Sequence, residues 1–317
     1  MTAARVTAVV VTFNSEKTIA DTLETAERCH QAGLLDCVIV DNDSGDGTVA
    51  YIESRHPWAT LVRSPANLGF GRGCNLGFER VTTSYVLFLN PDAAVEPEDL
   101  RTLLAFMESN PSAGIVAPSA RTPEGTLHHH RELPTPWKIV RSAFPGPLQK
   151  SYGHPLIPGL EPFRVVWVPG AIMLFRSSIF RTLGGFDPRF FLYFEETDLF
   201  KRAADLGLEV WAVTQAVGRH LTRRIESERG ARHEDIAEHF FRSRFYYLVK
   251  HHGALAACSA ELAELVLLAL RAAFSRLLLR PGGQLSQRLK GPVFQLPKRV
   301  EPAASSATGP AITSGSR

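Results

Sequence analysis

The stretch over residues 84–92 most strongly constrains how this chain can fold. Its apolar run, Tyr85–Leu89, has no polar interruption, which is typical of a strand buried on both faces within a parallel sheet. Pro91 ends such a strand, because proline has no N–H to donate to a neighbouring strand. Asn90 and Asp92 are therefore predicted to lie at the carboxyl edge of a sheet, where open α/β folds bind ligands.

Asn90 and Asp92 also form a pair of oxygen-bearing side chains with one residue between them. Such a pair suits Mg²⁺ or Mn²⁺, because these cations keep open positions for phosphate oxygens. The alternative is ordinary turn chemistry, since Asn and Asp are common wherever a strand ends in a turn. Polar stretches elsewhere in the chain are needed to choose between a metal site and an ordinary turn.

Length and composition indicate a globular α/β chain with a helical C-terminal part. The 317 residues, 44% of them hydrophobic, are enough for a large core. We expect a main domain over residues 1–215, a helical extension over residues 216–280, and a disordered tail over residues 281–317, where Pro, Gly, Ser and Ala dominate. A net charge of +3 is too small to indicate binding to nucleic acid.

The cysteines and the N-terminal segment favour a cytoplasmic protein. No C-x-x-C spacing occurs among the cysteines, which we expect to be reduced core residues: Cys29, Cys37, Cys74 and Cys258. The apolar run over residues 6–13 is interrupted by Asn14 and is not followed by a cleavage site. It is therefore predicted to be a first strand rather than a signal peptide.

Polar loops follow two further predicted strands. The first strand leads into Asn14 and Ser15, and Ser15 is a predicted N-cap for the next helix. A second strand, near residues 37–40, ends in a run of turn-forming residues over 41–48. So many turn formers after a buried strand indicate a loop that faces a ligand.

A cluster of glycines precedes another predicted helix. Gly69, Gly71 and Gly73 resemble a dinucleotide-binding fingerprint, but G-x-G-x-x-G would require its third glycine at Cys74. We instead expect a loop that passes into a helix. Its glycines would allow the helix start to approach a phosphate or ribose closely.

Three carboxylates follow an aromatic segment over residues 190–194: Glu195, Glu196 and Asp198. Acidic residues favour a helix N-terminus, so capping is one interpretation. The other is that aromatic side chains hold a sugar beside a general base. The residues alone leave both open.

Two segments allow more than one interpretation. Three adjacent histidines, residues 128–130, cannot all face one metal, so we predict a solvated loop within the irregular region over residues 118–164. The last predicted helix, residues 254–280, lacks the ~18 uncharged residues needed to span a bilayer. Its leucines and arginines predict either an amphipathic helix on the inner leaflet or a helix docked on the core.

Taken in order, these stretches resemble family 2 glycosyltransferases, and within them the bacterial rhamnosyltransferase-like branch. The resemblance covers residues 5–253 and rests on this ordered set: Thr12-Phe13-Asn14, Val40-Asp41-Asn42, Asn67-Leu68-Gly69-Phe70, Leu89-Asn90-Pro91-Asp92, Gly185-Phe186-Asp187 and Phe194-Glu195-Glu196-Thr197-Asp198-Leu199. It implies an α/β A-type glycosyltransferase fold, with a mostly parallel central sheet flanked by helices. It also implies a divalent metal, Mg²⁺ or Mn²⁺, and transfer of a hexose such as rhamnose with inversion.

The resemblance further implies a role for each matching position. The nucleotide-sugar-binding positions are Thr12, Phe13, Asn14, Asp41, Asn42, Asn67, Gly69 and Asn90. The metal would be held by Asp92 and His220, with Asn90 as a weaker, neutral ligand where relatives carry an aspartate. Glu196 would be the catalytic base. From their positions at the start of the helix, we expect Glu195 to make a supporting hydrogen bond and Asp198 to cap backbone N–H groups.

The implied partners are a nucleoside-diphosphate sugar and a lipid-linked or cell-surface glycan acceptor at the inner membrane face. Arg242, Arg244 and Lys250 match the same branch, and either face a diphosphate or form a solvated helix face. Two other functions compete. A nucleotidyltransferase would need a glycine-rich basic signature that residues 1–30 lack, and a non-catalytic homologue would lose the carboxylates of Asp92 and Glu196, which are present.

Overall fold

The computed structural model describes residues 5–144, 153–220, 233–277 and 284–297. The strands in these ranges are β1 Val6–Thr12, β2 Leu35–Asp41, β3 Thr60–Arg63, β4 Tyr85–Leu89, β5 Ala93–Ala94, β6 Ala113–Arg121, β7 His129–Arg131, β8 Gly153–Pro155, β9 Phe163–Val165, β10 Ile172–Arg176 and β11 Glu209–His220. The helices are α1 Ile19–Gln31, α2 Thr48–Arg55, α3 Phe70–Phe78, α4 Pro97–Ser109, α5 Pro136–Ser142, α6 Ser177–Thr182, α7 Glu195–Asp205, α8 His233–His252, α9 Ala254–Leu277 and α10 Gln284–Arg288.

Nine of the strands form one sheet, in the order β3-β2-β1-β4-β10-β6-β11-β5, with β9 paired to β11. β3, β2, β1 and β4 are parallel, β10 is antiparallel to β4 and β6, and β11 is parallel to β6. Six strands therefore run in one direction and three run against them. The predicted α/β fold with a mostly parallel central sheet is confirmed.

Two layers of helices bury the two faces of this sheet, because successive residues of each strand point to opposite faces. Val10 of β1 packs in one layer with α1 and α4, whereas Val9 and Val11 pack in the other with α3, α6 and α7. β4 is buried along its whole length, as its apolar sequence predicts. The polar residues that follow β1, β2 and β4 are thus brought to one edge of the sheet.

The C-terminal helices pack on each other and on the aromatic segment before α7. Phe190 and Phe194 of that segment are buried against Tyr246 and Tyr247 of α8. α9 packs on α5, α8 and α10. Because β11 continues to His220, the sheet extends beyond the boundary expected near residue 215.

Several local predictions are wrong. Ser15 does not cap α1: its hydroxyl donates to the Phe13 carbonyl, and α1 begins after Thr18. The histidine run is not a solvated loop, because residues 129–131 form β7, paired with β8, and the three histidines are partly buried. Within the tail, residues 284–297 are structured and the Arg288 side chain is buried; residues 298–317 lie outside the described part.

The two interpretations of the last helix both find support in α9. One face is docked, with Ala257, Ala260 and Leu268 buried, whereas the opposite face exposes apolar side chains. In the part of the chain that the structure describes, no helix is long and apolar enough to cross a membrane.

Candidate active site

The ends of β1 and β2 form a buried polar pocket. Thr12 and Asp41 are paired across these strands, and both are almost fully buried. Asp41 Oδ2 accepts a hydrogen bond from the Ser44 N–H, but Asp41 Oδ1 and Thr12 Oγ1 have no partner among the described residues. Because a buried polar atom without a partner is costly, this pair is suited to bind hydroxyl or N–H groups of a ligand.

Asn42 and Asn67 build the wall of this pocket by bonding to each other. Asn42 Nδ2 donates to Asn67 Oδ1 at 2.9 Å, and Asn67 Oδ1 also accepts from the Gly69 N–H at 3.0 Å. Gly69 adopts a φ of +81°, and a Cβ there would lie 2.1 Å from the Phe191 carbonyl oxygen. Only glycine allows this approach, which fixes the start of α3 against the aromatic segment.

Phe13 and Asn14 extend the pocket toward solvent. The Phe13 ring is 38% exposed, and Asn14 adopts a positive φ of 48°. Asn14 Oδ1 accepts a hydrogen bond from the Gly45 N–H at 2.8 Å, and the Asn14 N–H donates to Ser44 Oγ at 3.0 Å. The two predicted ligand loops, which follow β1 and β2, are thus tied together.

Asp92 and His220 meet because β5 pairs with the end of β11. In this antiparallel pair His220 lies opposite Ala93, the residue that follows Asp92 in the sequence. His220 Nε2 is 3.3 Å from Asp92 Oδ1 and 3.4 Å from Asn90 Nδ2, and the Asp92 and His220 side chains are about 10% exposed. Two of the predicted metal-binding side chains are therefore adjacent, with the amide of Asn90 beside them.

This donor set fits a divalent cation that is bound partly by its substrate. Within the described ranges, no group of three or more His, Cys, Asp or Glu side chains could hold a metal ion by itself. One carboxylate and one imidazole are nevertheless enough for Mg²⁺ or Mn²⁺ when diphosphate oxygens and water complete the shell.

His128 completes this cluster from behind. Its Nε2 is 2.9 Å from His220 Nδ1, with the two rings nearly perpendicular at 89°. Burial, with a smaller contribution from His220, lowers the pKa of His128 to about 4, so the ring is neutral at physiological pH. The histidine run is visible in the sequence, but nothing local indicates that its first member, His128, contacts β11.

Glu195 and Glu196 begin α7 after a strained turn. Tyr193 and Phe194 both have positive φ values, 66° and 67°. Two such residues in succession are costly for side chains with a Cβ, at about 1–3 kcal/mol each, and this kind of strain is concentrated at functional sites. The two glutamates that follow this turn face different surroundings, because successive helix residues point about 100° apart.

Glu195 points into the protein, whereas Glu196 points to the loop before β10. A Cβ added to Gly71 of α3 would be 3.4 Å from Glu195 Cβ, and one added to Gly170 would be 3.6 Å from Glu196 Cβ. Beside Glu196, the Thr197 hydroxyl accepts a hydrogen bond from Trp167 Nε1 at 3.0 Å. The Arg131 guanidinium lies over the Trp167 ring, 5.6 Å from its centroid.

Both glutamates hold their protons more tightly than an exposed glutamate. Burial raises the pKa of Glu195 well above its ordinary value, and the neighbouring Glu196 charge adds to this. Burial also raises the pKa of Glu196, although nearby backbone N–H groups and the Arg131 charge oppose it. The Oε2 atoms of both are buried without a partner in the described part of the chain.

Asp198 does not have the capping role that was predicted for it. Its side chain makes no capping bond to the start of α7. It is fully buried, and its oxygens accept from Arg202 Nε at 2.8 Å and His251 Nε2 at 2.7 Å, with Lys250 Nζ also in contact. Asp198 therefore fastens α8 to α7.

The basic residues of α8 are not a solvated face. Arg244 is buried between Glu261 and Glu264 of α9, and Lys250 bridges Asp187 and Asp198. Arg242 contacts Glu238 and Gln295. These cations are engaged by protein groups, which contradicts the solvated interpretation for Arg244 and Lys250.

Backbone contacts join these parts into one site. The Asn90 N–H donates to the Ala171 carbonyl at 2.9 Å, and the neighbouring Gly170 lies against Glu196. The Phe70 N–H donates to the Phe191 carbonyl, so the nucleotide-side loop also contacts the segment before Glu195. The Asp41 pocket, the Asp92 cluster and the glutamates thus belong to one continuous edge of the fold.

The family model for glycosyl transferase family 2 matches residues 7–184, more than half of the chain. This chain belongs to glycosyl transferase family 2. Among curated relatives of this glycosyltransferase is the N-acetylglucosaminyl-diphospho-decaprenol L-rhamnosyltransferase of Mycobacterium tuberculosis, 30% identical over 58% of this chain and 66% of the relative. The rhamnosyltransferase WbbL of Escherichia coli K12 is 27% identical over 45% of this chain and 56% of WbbL. The chain thus spans about half to two thirds of these relatives' lengths.

Solved structures share the fold of this glycosyltransferase. S. aureus TarS in complex with UDP-GlcNAc gives a TM-score of 0.53 at 17% identity, covering 90% of this chain and 78% of that chain. The mannosyltransferase PcManGT of Pyrobaculum calidifontis, in complex with GDP-Man and Mn²⁺, gives 0.50 at 16% identity, covering 91% and 85%. At such identities the likeness shows the A-type glycosyltransferase fold alone.

Sequence reasoning about this glycosyltransferase missed three residues beside the candidate site: His128, Trp167 and Arg131. Trp167 lies in a segment, residues 165–175, that the sequence predicts to be a strand interrupted by a turn; in the structure β9 ends at Val165 and β10 begins at Ile172, so Trp167 lies between two strands. The Pro169-Gly170 pair was the signal for this break. Arg131 comes to the same place through β7.

Proposed function

We propose that this chain is a metal-dependent, inverting glycosyltransferase that moves a hexose from a nucleoside diphosphate to a lipid-linked glycan acceptor. The observation that supports this is one edge of the sheet where three kinds of group converge. These are the Asp41 oxygen without a partner, the Asp92–His220 pair, and the two glutamates, which have no salt bridge among the described residues. Each suits a different part of a nucleotide-sugar reaction.

Asp41 would accept hydrogen bonds from the nucleoside, and the Thr12 hydroxyl would accept or donate one. The exposed Phe13 ring provides a surface on which the base would stack. Asn42, Asn67 and Gly69 act through the shape of the pocket, since Asn67 Oδ1 already accepts hydrogen bonds from Asn42 Nδ2 and the Gly69 N–H. Asp92 and His220 would hold the divalent cation, with Asn90 beside them. When bound, the cation neutralises charge on the departing diphosphate.

Glu196 would be the base. It takes the proton from the acceptor hydroxyl as that oxygen forms its bond to the anomeric carbon. The bond from this carbon to the diphosphate oxygen breaks, and its electron pair leaves with the nucleoside diphosphate. Attack from the side opposite the leaving group inverts the anomeric configuration. The raised pKa of Glu196 makes its carboxylate a stronger base than that of an exposed glutamate.

We further propose deoxythymidine-diphosphate L-rhamnose as donor, by analogy with the rhamnosyltransferases among the relatives. The test is a panel of nucleotide sugars, with and without EDTA, using a short-chain polyprenyl-diphosphate N-acetylglucosamine as acceptor. Release of nucleoside diphosphate and the anomeric configuration of the product are measured. We expect metal-dependent turnover that is fastest with the rhamnosyl donor and inverts configuration. Turnover that survives EDTA, or a retained configuration, would refute the mechanism.

A membrane surface is the proposed location of the acceptor. The outer face of α9 repeats apolar residues every fourth position, at Leu262, Val266, Leu270 and Phe274, and all of them are exposed. Trp137 of α5, which packs on α9, is 65% exposed. Exposed leucines along one face of a helix, with an exposed tryptophan on a neighbouring helix, are typical of proteins that lie at a lipid interface.

The membrane proposal can be tested with a matched pair of variants. We expect Leu262→Glu with Leu270→Glu to abolish co-sedimentation with phosphatidylglycerol-containing vesicles. Leu206→Glu is the control, because Leu206 is exposed to a similar extent (59%, against 57% for Leu262) but follows α7. Equal vesicle binding by all forms, or a dimer that the α9 variants dissociate without vesicles, would contradict the proposal.

A further inference from the structure

The histidine pair behind Asp92 suggests how the metal-binding ring is oriented. His220 Nε2 faces Asp92 and Asn90, while His220 Nδ1 faces His128 Nε2. We propose that His128 is a positioning residue that holds the His220 ring with its Nε2 lone pair available to the cation. This inference rests on the proposed metal site and adds a residue to it.

A neutral imidazole carries one proton, on one of its two ring nitrogens. A cation can bind His220 Nε2 only when that nitrogen is bare, so the proton must be on Nδ1 and needs an acceptor there. Metal-binding histidines usually donate this second N–H to a neighbouring group, which fixes both tautomer and orientation. His128 Nε2 is that acceptor, at 2.9 Å.

The backbone holds His128 in place for this role. A hairpin closes through the bridge between Arg121 and Leu127 and returns the chain alongside β6. The His128 N–H donates to the Ala120 carbonyl at 2.8 Å, and its carbonyl accepts from the Leu156 N–H at 2.8 Å. Since Ala120 pairs with Gly218 of β11, this anchors His128 close to the end of that strand.

The pair has a second arrangement in the absence of a cation. His220 Nε2–H then donates to Asp92, and His128 Nε2–H donates to His220 Nδ1. Cation binding therefore exchanges the tautomers of both rings without changing the number of protons they carry. This exchange is a spectroscopic signature that a purely structural histidine would lack.

The first experiment measures Mn²⁺ affinity of the full chain by electron paramagnetic resonance. The protein is saturated with whichever of UDP, GDP and dTDP binds the parent best. We expect His128→Leu to weaken Mn²⁺ binding by about 10- to 100-fold, the usual effect of losing such a partner. His128→Gln should stay close to the parent, because its amide oxygen can accept from His220 Nδ1. His129→Leu, on the neighbouring residue, is the control.

The second experiment records nitrogen-15 histidine spectra of the parent with Mg²⁺ and the same nucleotide. A His220 ring protonated at Nδ1 supports the proposal, and one protonated at Nε2 overturns it, even if His128→Leu fails to fold. Equal Mn²⁺ affinity in His128→Leu and the parent would also overturn it. If the parent itself binds no Mn²⁺ with any nucleotide, or Asp92→Asn binds it equally well, the proposed metal site fails instead.

Discussion

Two pairs of glutamates with buried carboxylate oxygens have opposite surroundings in this molecule. Glu261 and Glu264 of α9 each contact two guanidinium groups, those of Arg244 and Arg288. Glu195 and Glu196 of α7 have no salt bridge among the described residues, and each leaves a buried oxygen without a partner. The first pair is balanced by the protein, whereas the second is left for a proton or a ligand to balance.

The difference separates a structural use of buried charge from a functional one. A buried charge with well-placed partners joins elements together, and here it ties α8, α9 and α10 into one unit. A buried carboxylate without a cation is a proton acceptor of raised pKa, which is the property required of a base. The same residue type therefore predicts nothing about function until its partners are known.

Breaking the unbalanced pair should produce the largest effect on activity. Glu196→Gln keeps the size of the side chain and removes its basicity, so turnover should fall by roughly 10²–10⁴-fold, while donor affinity stays near the parent. Glycosyl transfer under saturating donor and donor titration calorimetry measure the two quantities. If Glu195→Gln instead abolishes turnover and Glu196→Gln does not, the base is the preceding residue.

Breaking the balanced pair should produce the largest effect on stability. Arg244→Met leaves Glu261 and Glu264 with one guanidinium between them, which should cost about 3–5 kcal/mol in the free energy of unfolding. Urea unfolding measures it. Arg242→Met, two residues away, is the matched control, because its partly exposed pair with Glu238 should be worth less than about 1 kcal/mol. Equal losses in both variants would mean that burial of the network adds nothing.

Asp198 sharpens the comparison within α7 itself, since it forms salt bridges, whereas Glu195 and Glu196 form none among the described residues. Burial alone would raise its pKa, but His251, Arg202 and Lys250 together lower it. Asp198→Asn should cost about 1.5–3 kcal/mol of stability, as expected for bonds to charged groups, with turnover changed less than about tenfold. Because the folded pKa is lowered, this difference should be full above pH 3.8 and shrink as pH falls further. A pH-independent difference would contradict the ion-pair role.

Most of the fold could be predicted because its signals are local. The β4 run, the strand that begins at Val6 and the helix with Pro97 at its first turn show their periodicity and end signals within a few residues. The loops that follow parallel strands then meet at one edge by topology alone. For this reason the sequence predicts that Asn90 and Asp92 lie at that edge.

The remaining features depend on contacts between distant parts of the chain. His128 and His220 are separated by 92 positions, and Asp198 and His251 by 53. Nothing near Asp198 distinguishes it from Glu196, and nothing near Arg244 shows that its partners follow in the next helix. Local patterns identify which residues can ionise, but the surroundings that set their roles are tertiary.

The smallest effect that we expect concerns Glu195. It is a change in how the free energy of unfolding depends on pH, rather than a loss of activity or of stability at every pH. The pKa of Glu195 is raised in the folded state by burial and by Glu196, from an ordinary value of 4.5. Folding therefore favours its protonated form: this contribution to stability is full below pH 4.5 and is lost as pH rises toward the folded pKa. Glu195→Gln is always neutral, so it should match the parent near pH 4 and become progressively more stable than the parent as pH rises.

Urea unfolding of both proteins, without metal or nucleotide, gives this difference in the free energy of unfolding at each pH. Repeating the comparison in a Glu196→Gln background should reduce its dependence on pH, because the neighbouring charge is gone. A difference that is constant from pH 4 to pH 9, or that has the opposite sign, would mean that Glu195 is paired like Glu261 and that the two pairs of glutamates do not differ in kind.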